Sequence, residues 1–403
     1  MSGNSRYRDY CRSRPLTRES IAAGPAPPTG TRPRTVGRGA GRGGVCHDRG
    51  TMTAPVRPFD HEFAPTRIVF GPGRLAEVGD EVARLGASRA MVIVSGHAPG
   101  GDTVTAALGA RAALTWHEIA QHVPVDIASR ATAAARDAGA DVIVSLGGGS
   151  ATGLAKAVAL ELGIPIVAVP TTYAGSELTP VYGMTGGQRK RTGSDERVRP
   201  RVVLYDPELT VGLPAAVTGP STFNAMAHCF AALWAPAGNP LIAALAADAV
   251  RILTTSLPVV TTNPADLDAR AGLQYGAFLA GTALGSAGTG LQHRISHALG
   301  GRLGLVHADT HSVVLPYVVA LNAAAVPDMV SRLRPYLGDD PGRALWELAA
   351  RIGLPHDLAT LGATGEALDG VAHDVADTTN PVPASFDTIR ALLDRAYRGR
   401  EWQ

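Results

Sequence analysis

Apolar positions along the chain fall into two regimes. From Phe63 to about Pro214, short β-rich runs alternate with stretches of helical period. RIVFG (67–71), AMVIVSG (90–96), ADVIVSLGGGS (140–150) and PIVAVP (165–170) read as strands. Their unbroken apolar character suits strands covered on both faces. LAEVGDEVARLG (75–86) and SATGLAKAVALELG (150–163) repeat at the spacing of a helix. Strands alternating with helices predict parallel βαβ units. Beyond Pro214 the pattern is almost entirely helical, over 222–235, 240–255, 266–288, 290–301, 310–323, 342–352 and 387–398. The expected fold is an α/β N-terminal nucleotide-binding domain with a parallel sheet, residues 52–213, followed by an all-α C-terminal domain, residues 214–403. Ligands are expected in the cleft between them. No repeat of 20 to 50 residues is visible.

Composition adds a third region. Residues 1–51 hold ten Arg, no Lys and three acids, a charge of +7, rich in Gly, Pro and Ser and without apolar period. They read as a disordered tail, or as upstream sequence ahead of a start at Met52. No apolar signal-peptide core is present, and the Gly and Pro content opposes an amphipathic transit helix. With +2 over the whole chain, the remainder carries −5 and no basic stripe for nucleic acid. The three cysteines, Cys11, Cys46 and Cys229, form neither a disulfide framework nor a zinc-type CxxC, which suits a reducing cytoplasm. No 18-residue unbroken apolar stretch exists, so no membrane span is expected.

Two turns carry candidate chemistry. Strand, then Gly147, Gly148, Gly149 and Ser150, then helix outlines a phosphate cradle. Glycines admit close approach, and the helix N-terminus offers N–H groups and a positive dipole end. The order is not GxGxxG, and an empty tight turn would look the same. PTTYAGSE (170–177) also follows a strand and supplies the hydroxyls of Thr171, Thr172 and Ser176. Two such turns suit a dinucleotide. Lys156 and Lys190 are the only lysines beside 35 arginines. Either could meet a pyrophosphate, or each could be a solvated surface charge; Lys190 falls in what reads as a loop after the second turn.

Histidines cluster in the helical region. Asn224 and His228 stand four apart, as do His293 and His297 in HRISH and His307 and His311 in HADTH. Each pair shares a helix face. A lone His is usually a satisfied core residue; five on one cleft point to a site. Three imidazoles could make an open metal site, but Asn224 brings no negative charge to offset an ion. The cluster is therefore expected to donate protons and bind anions, with His228, His293 and His307 central and His297 and His311 supporting.

GGGSATGLAKA, IPIVAVPTTYAGSELTPVYGMT, LYDPELT, FNAMAHCFAALWAP, HRISHALGG and VHADTHSVVLPY together resemble the iron-containing alcohol dehydrogenase family, from about Phe63 to RALLDRA near the C-terminus. The family's metal-dependent members coordinate through an Asp, a His four later, the first His of an HxxxH and a further His. These positions correspond to Asn224, His228, His293 and His307. Asn for Asp resembles the members that work without metal and reduce the carbon–carbon double bond of maleylacetate to 3-oxoadipate. The resemblance implies that activity, with NADH or NADPH, no metal, a small dicarboxylate substrate and a homodimer. It places cofactor contacts at Ser95 and Gly96, where NAD-restricted members carry an Asp, at the two turns and at Lys190. Arg294 stands where the family usually has Lys and would hold a carboxylate. The alternatives are a metal-dependent NAD(P) alcohol dehydrogenase using the same three histidines, and a non-catalytic nucleotide-binding protein.

Overall fold

The structure, a computed structural model, describes residues 58–96, 98–186, 189–399 and 402, with backbone only at 189 and 190. The readings made of residues 1–51 lie outside these. The strands are β1 (Arg67–Phe70), β2 (Ala90–Val94), β3 (Ala112–Trp116), β4 (Val142–Gly147), β5 (Ile166–Pro170), β6 (Val181–Gly186), β7 (Arg189–Ser194) and β8 (Val202–Tyr205). The α-helices of the first half are α1 (Val78–Arg84), α2 (Gly101–Leu108), α3 (Val125–Asp137) and α4 (Gly149–Leu162). Those of the second half are α5 (Ala215–Trp234), α6 (Pro240–Thr262), α7 (Leu267–Ala287), α8 (Leu291–Leu303), α9 (His307–Ala323), α10 (Pro327–Leu337), α11 (Pro341–Arg351), α12 (Leu368–Val375) and α13 (Phe386–Arg398).

Six strands form one sheet in the order β1, β8, β5, β4, β2, β3, with every neighbouring pair parallel. Side chains alternate across it. On β4, Val142, Val144 and Leu146 join a core with Val78 and Val82 of α1 and Val104 and Leu108 of α2. Ile143 faces the other way, into a core with Ala131 and Ala135 of α3 and Leu154, Ala155 and Val158 of α4. Helices on both faces explain why these strands are apolar throughout. The last strand ends at Tyr205 and the long helices begin at Ala215. One helical core draws on α5, α6, α7, α9, α10 and α11. A second draws on α8, α9, α12 and α13. The expected fold class is the one observed.

Several elements depart from the sequence reading. β3, β6, β8, α2, α3, α10 and α12 are absent from the pattern read in the sequence. Lys190 lies in strand β7, opposite Thr185 of β6 in an antiparallel hairpin, rather than in a loop. The sequence of β7, RKRTGS, is polar on both faces, so no alternation marks it. α9 starts at His307 and therefore takes HADTH into its first turns. α6 contains an 18-residue window of mean hydropathy 1.4, long and apolar enough by composition to cross a membrane. It passes that measure although its apolar run is interrupted. Here Ile242, Ala246, Val250, Leu253 and Leu257 make a stripe at helical spacing that is buried in the first helical core.

Candidate active site

β2 and β4 are neighbours whose onward connections run opposite ways, β2 out to β3 and β4 back to β5. Open α/β sheets bind ligands outside the carboxyl ends of such strands. Ser95 and Gly96 follow β2, Gly147 ends β4, Gly148, Gly149 and Ser150 lead into α4, and Thr171 and Thr172 follow β5. They crowd together. A β-carbon on Gly147 would lie 2.9 Å from the Cβ atoms of both Ala151 and Ser95, and one on Gly148 3.0 Å from Thr172 Cγ2. Gly147 has φ +152°, open in practice to glycine alone. No side chain caps α4, so its first-turn N–H groups and positive dipole end are left for a ligand. A cradle that any β-carbon would fill, floored by a helix N-terminus, fits a pyrophosphate. Ser176 lies further along the second turn, with Oγ buried and unpartnered.

Lys156 is neither a phosphate contact nor a solvated charge. It is 1% exposed, and its Nζ donates to the carbonyls of Ser176, Thr179 and Val181 at 2.6, 2.9 and 2.8 Å. Burial pushes its pKa down to about 7, while the three carbonyl oxygens around Nζ offer no donor to an amine lone pair and so favour the ammonium. The side chain of Lys190 is outside what the structure describes.

The imidazoles come from three helices. Asn224 and His228 lie on α5, His293, Arg294 and His297 on α8, and His307 and His311 on α9. His228 stacks on His293 with ring centroids 4.3 Å apart. His293 lies 4.5 Å from His311 and 6.4 Å from His307, and His297 stacks on His307 at 4.9 Å. His307 and His311 approach Nε2 to Nε2 at 3.2 Å. All five predicted histidines thus meet, graded from buried His228, His293 and His311, through half-buried His307, to exposed His297. Arg294 is exposed, a helical step round from buried His293, and does not join the buried group. Gln292, which sequence reasoning missed, bonds His311 Nδ1 through Nε2 at 3.3 Å; its only signal was a polar residue inside an apolar helix pattern.

Burial governs the protonation of this group. It pushes His228 from 6.5 down to about 4. Burial first, then the neighbouring imidazoles, holds His293 and His311 well below the usual histidine range. The expectation of charged, anion-holding imidazoles is therefore corrected for these three: they are neutral at pH 7, because desolvation disfavours the cation. Asn224 Oδ1, His228 Nδ1, both ring nitrogens of His293, Gln292 Oε1 and Ser296 Oγ are buried without protein partners. Buried polar atoms normally find partners, so this set is suited to a polar ligand. A metal fits poorly. Asn224 supplies a neutral amide, the His228 and His293 rings are 17° from parallel, and among the described residues no three His, Cys, Asp or Glu side chains are placed to hold one ion. Gly175, φ +78°, joins the two sites: a β-carbon there would lie 3.8 Å from His228 Cδ2.

Comparison with known proteins covers both halves. Residues 65–207 match the iron-containing alcohol dehydrogenase family and residues 218–397 the C-terminal part of the Fe-containing alcohol dehydrogenase family. A maleylacetate reductase of Rhizobium sp. strain MTP-10005 is 45% identical over 349 residues, spanning 85% of this chain and 99% of that protein. One from Burkholderia cepacia is 44% identical over the same shares. The crystal structure of maleylacetate reductase from Agrobacterium tumefaciens superposes with a TM-score of 0.82 at 43% identity, covering 85% of this chain and 99% of that one. An iron-containing alcohol dehydrogenase from Corynebacterium glutamicum superposes at 0.81 with 38% identity, covering 86% and 99%.

Proposed function

The chain belongs to the iron-containing alcohol dehydrogenase family, and on that footing we propose that it reduces the carbon–carbon double bond of maleylacetate to 3-oxoadipate, with NADH or NADPH as reductant, in the breakdown of aromatic compounds. The observation that carries this reading is the likeness to proteins of that activity over 99% of their length. Its physical counterpart is a group of neutral buried imidazoles with unpartnered nitrogens, joined through Gly175 to the glycine cradle.

The nicotinamide, when bound, supplies hydride. The alkene of maleylacetate is conjugated to a ketone, so hydride adds at the carbon β to that ketone and charge develops on the ketone oxygen. A neutral imidazole N–H in a dry site can stabilise that enolate by hydrogen bonding and relay a proton to the α-carbon while its other ring nitrogen takes one up from solvent, so that the ring ends neutral. His228 and His293, both buried, and half-buried His307 are the candidates for that donor. Since the buried imidazoles start neutral, the substrate's two negative charges would be met by their N–H groups, by Gln292 and by the more exposed His297, His307 and Arg294. Ser95 and Gly96 place no carboxylate against a 2′-phosphate, which supports use of either nicotinamide.

The family's name carries iron, and we propose that this member works without a resident metal, because Asn224 replaces the charge-balancing acid and His228 stacks face to face on His293. We further propose a homodimer working in the cytoplasm, with no nucleic-acid or membrane partner; light scattering of the purified protein tests the dimer. The decisive experiment follows NADH and NADPH oxidation with maleylacetate after dialysis against EDTA, with elemental analysis. Turnover by metal-free protein supports the reading. If zinc or iron is needed to restore activity, the metal-dependent alcohol dehydrogenase reading replaces it.

A further inference from the structure

The segment from the end of β5 to the first residue of β6, residues 171–181, is held from two sides. Beneath it lies Lys156 of α4. An ammonium has three N–H groups, and here they meet three carbonyls of that segment, those of Ser176, Thr179 and Val181, with Thr179 Oγ1 at 3.1 Å as a fourth contact. Arg199 takes a further carbonyl, that of Leu178, through Nη1. Between the strands the only regular structure is the short 3-10 turn Ser176–Leu178; the Ser176 carbonyl also accepts from Thr179 N–H at 3.2 Å, while the Leu178 and Thr179 carbonyls are met by side-chain donors. The opposite side is pressed onto α7. A β-carbon on Gly281 would lie 3.0 Å from the Gly175 carbonyl oxygen and 2.9 Å from Leu178 Cδ1, and one on Gly285 2.8 Å from the Leu178 carbonyl oxygen. The clamped segment starts at Thr171 and Thr172, against the glycine cradle, and passes Gly175, against His228.

We infer that Lys156 is a positioning residue for hydride transfer: its ammonium fixes the 171–181 segment, and so the register between the cofactor cradle and the imidazole group. This rests on the reading that a nicotinamide cofactor occupies the cradle. Chemistry favours lysine over the chain's abundant arginine, because a compact ammonium presents three donors at one point while a guanidinium spreads five over a plane. Buried Glu177, which accepts from Tyr205 Oη at 2.7 Å, shares the same interior.

The test uses the full chain with Lys156→Ala, and Gly281→Ala to disturb the segment from the other face while leaving the ammonium in place. NADPH affinity is read by protein fluorescence, and kcat with maleylacetate. Folding is checked by circular dichroism. Misplacement of the reacting groups by a fraction of an ångström lowers kcat by roughly 10-fold to 100-fold, and loss of the segment's anchor raises the NADPH Kd on the order of tenfold. n-Propylammonium chloride, which replaces the missing atoms, restores both in Lys156→Ala, while sodium chloride at equal ionic strength does not; Gly281→Ala loses kcat and is not rescued. A folded Lys156→Ala with Kd and kcat within about twofold of the parent, or a loss untouched by propylammonium, overturns the inference. Should Lys156→Ala fail to fold, unchanged kcat in Gly281→Ala overturns it. If the parent binds NADPH but does not oxidise it with maleylacetate, the substrate reading fails instead, and the Kd with its amine rescue still decides the role of Lys156.

Discussion

Moving from about pH 7.5 to about pH 5 should destabilise this protein through its buried imidazoles, and His228 allows the magnitude to be worked out. Its folded pKa is about 4 against 6.5 for an ordinary histidine, with burial as the main cause. Above 6.5 neither the folded nor the unfolded state binds the proton, and the full stability is present. Below it the unfolded chain gains a proton that folded His228 refuses, so stability is lost as pH falls from 6.5 towards 4. At about 1.4 kcal/mol per pKa unit, the whole shift corresponds to about 3 kcal/mol, of which about 2 kcal/mol is lost by about pH 5. His293 and His311, also held low by burial and neighbouring imidazoles, act in the same direction. The assay is urea unfolding of the parent and of His228→Asn at both pH values. Asparagine does not titrate, so the variant should lose about 2 kcal/mol less than the parent on acidification, whatever its stability at neutral pH. Equal losses in the two proteins would refute the account of His228 as a buried neutral imidazole.

Gly148→Val should raise the KM for the nicotinamide sharply in a protein that still folds, since its β-carbon would already stand 3.0 Å from Thr172; unchanged cofactor affinity would remove the cradle from the site. His293→Ala should lower kcat by ~10²–10⁴ if it is the general acid, with NADPH binding retained in a fluorescence titration; a smaller loss moves that role to His228 or His307. Asn224→Asp should raise affinity for zinc or iron, measured by competition with a chelator, and depress reduction of the dianionic substrate by placing a negative charge beside it; a variant as active as the parent and equally indifferent to metal would count against Asn224 lining the substrate pocket.

The parts of the fold visible in the sequence are those whose environment is uniform. β4 and β5 are apolar throughout because helices cover both faces, and the glycines after β4 mark a turn whose geometry only they allow. β7 has no such signature: RKRTGS pairs through its backbone with β6 and carries no apolar face. For the site, the i, i+4 spacing of the histidines announced which would share a helix face, and all five meet. The spacing said nothing of depth. Whether His293 is buried and neutral depends on α5 and α9 closing over it, which no local pattern records. Lys156 is the sharpest case. On a helix pattern it looks like any solvated lysine, and its partners lie 20 to 25 positions later in the chain, in a segment whose path the sequence does not spell out.

The place of β1 at the sheet's edge has a consequence for how the molecule is made. Among the described residues its only strand partner is β8, and the bond from Thr66 Oγ1 to the Pro200 carbonyl spans 134 positions. During synthesis β1 emerges first and waits until the rest of the sheet has been translated before it has anything to pair with. Contacts so distant in sequence close slowly, whereas α6 and α7, adjacent in the chain, can pack as they appear. The order of translation is thus not the order of assembly, and a ribosome that pauses before β8 holds the half that carries the glycine cradle with an edge unsealed.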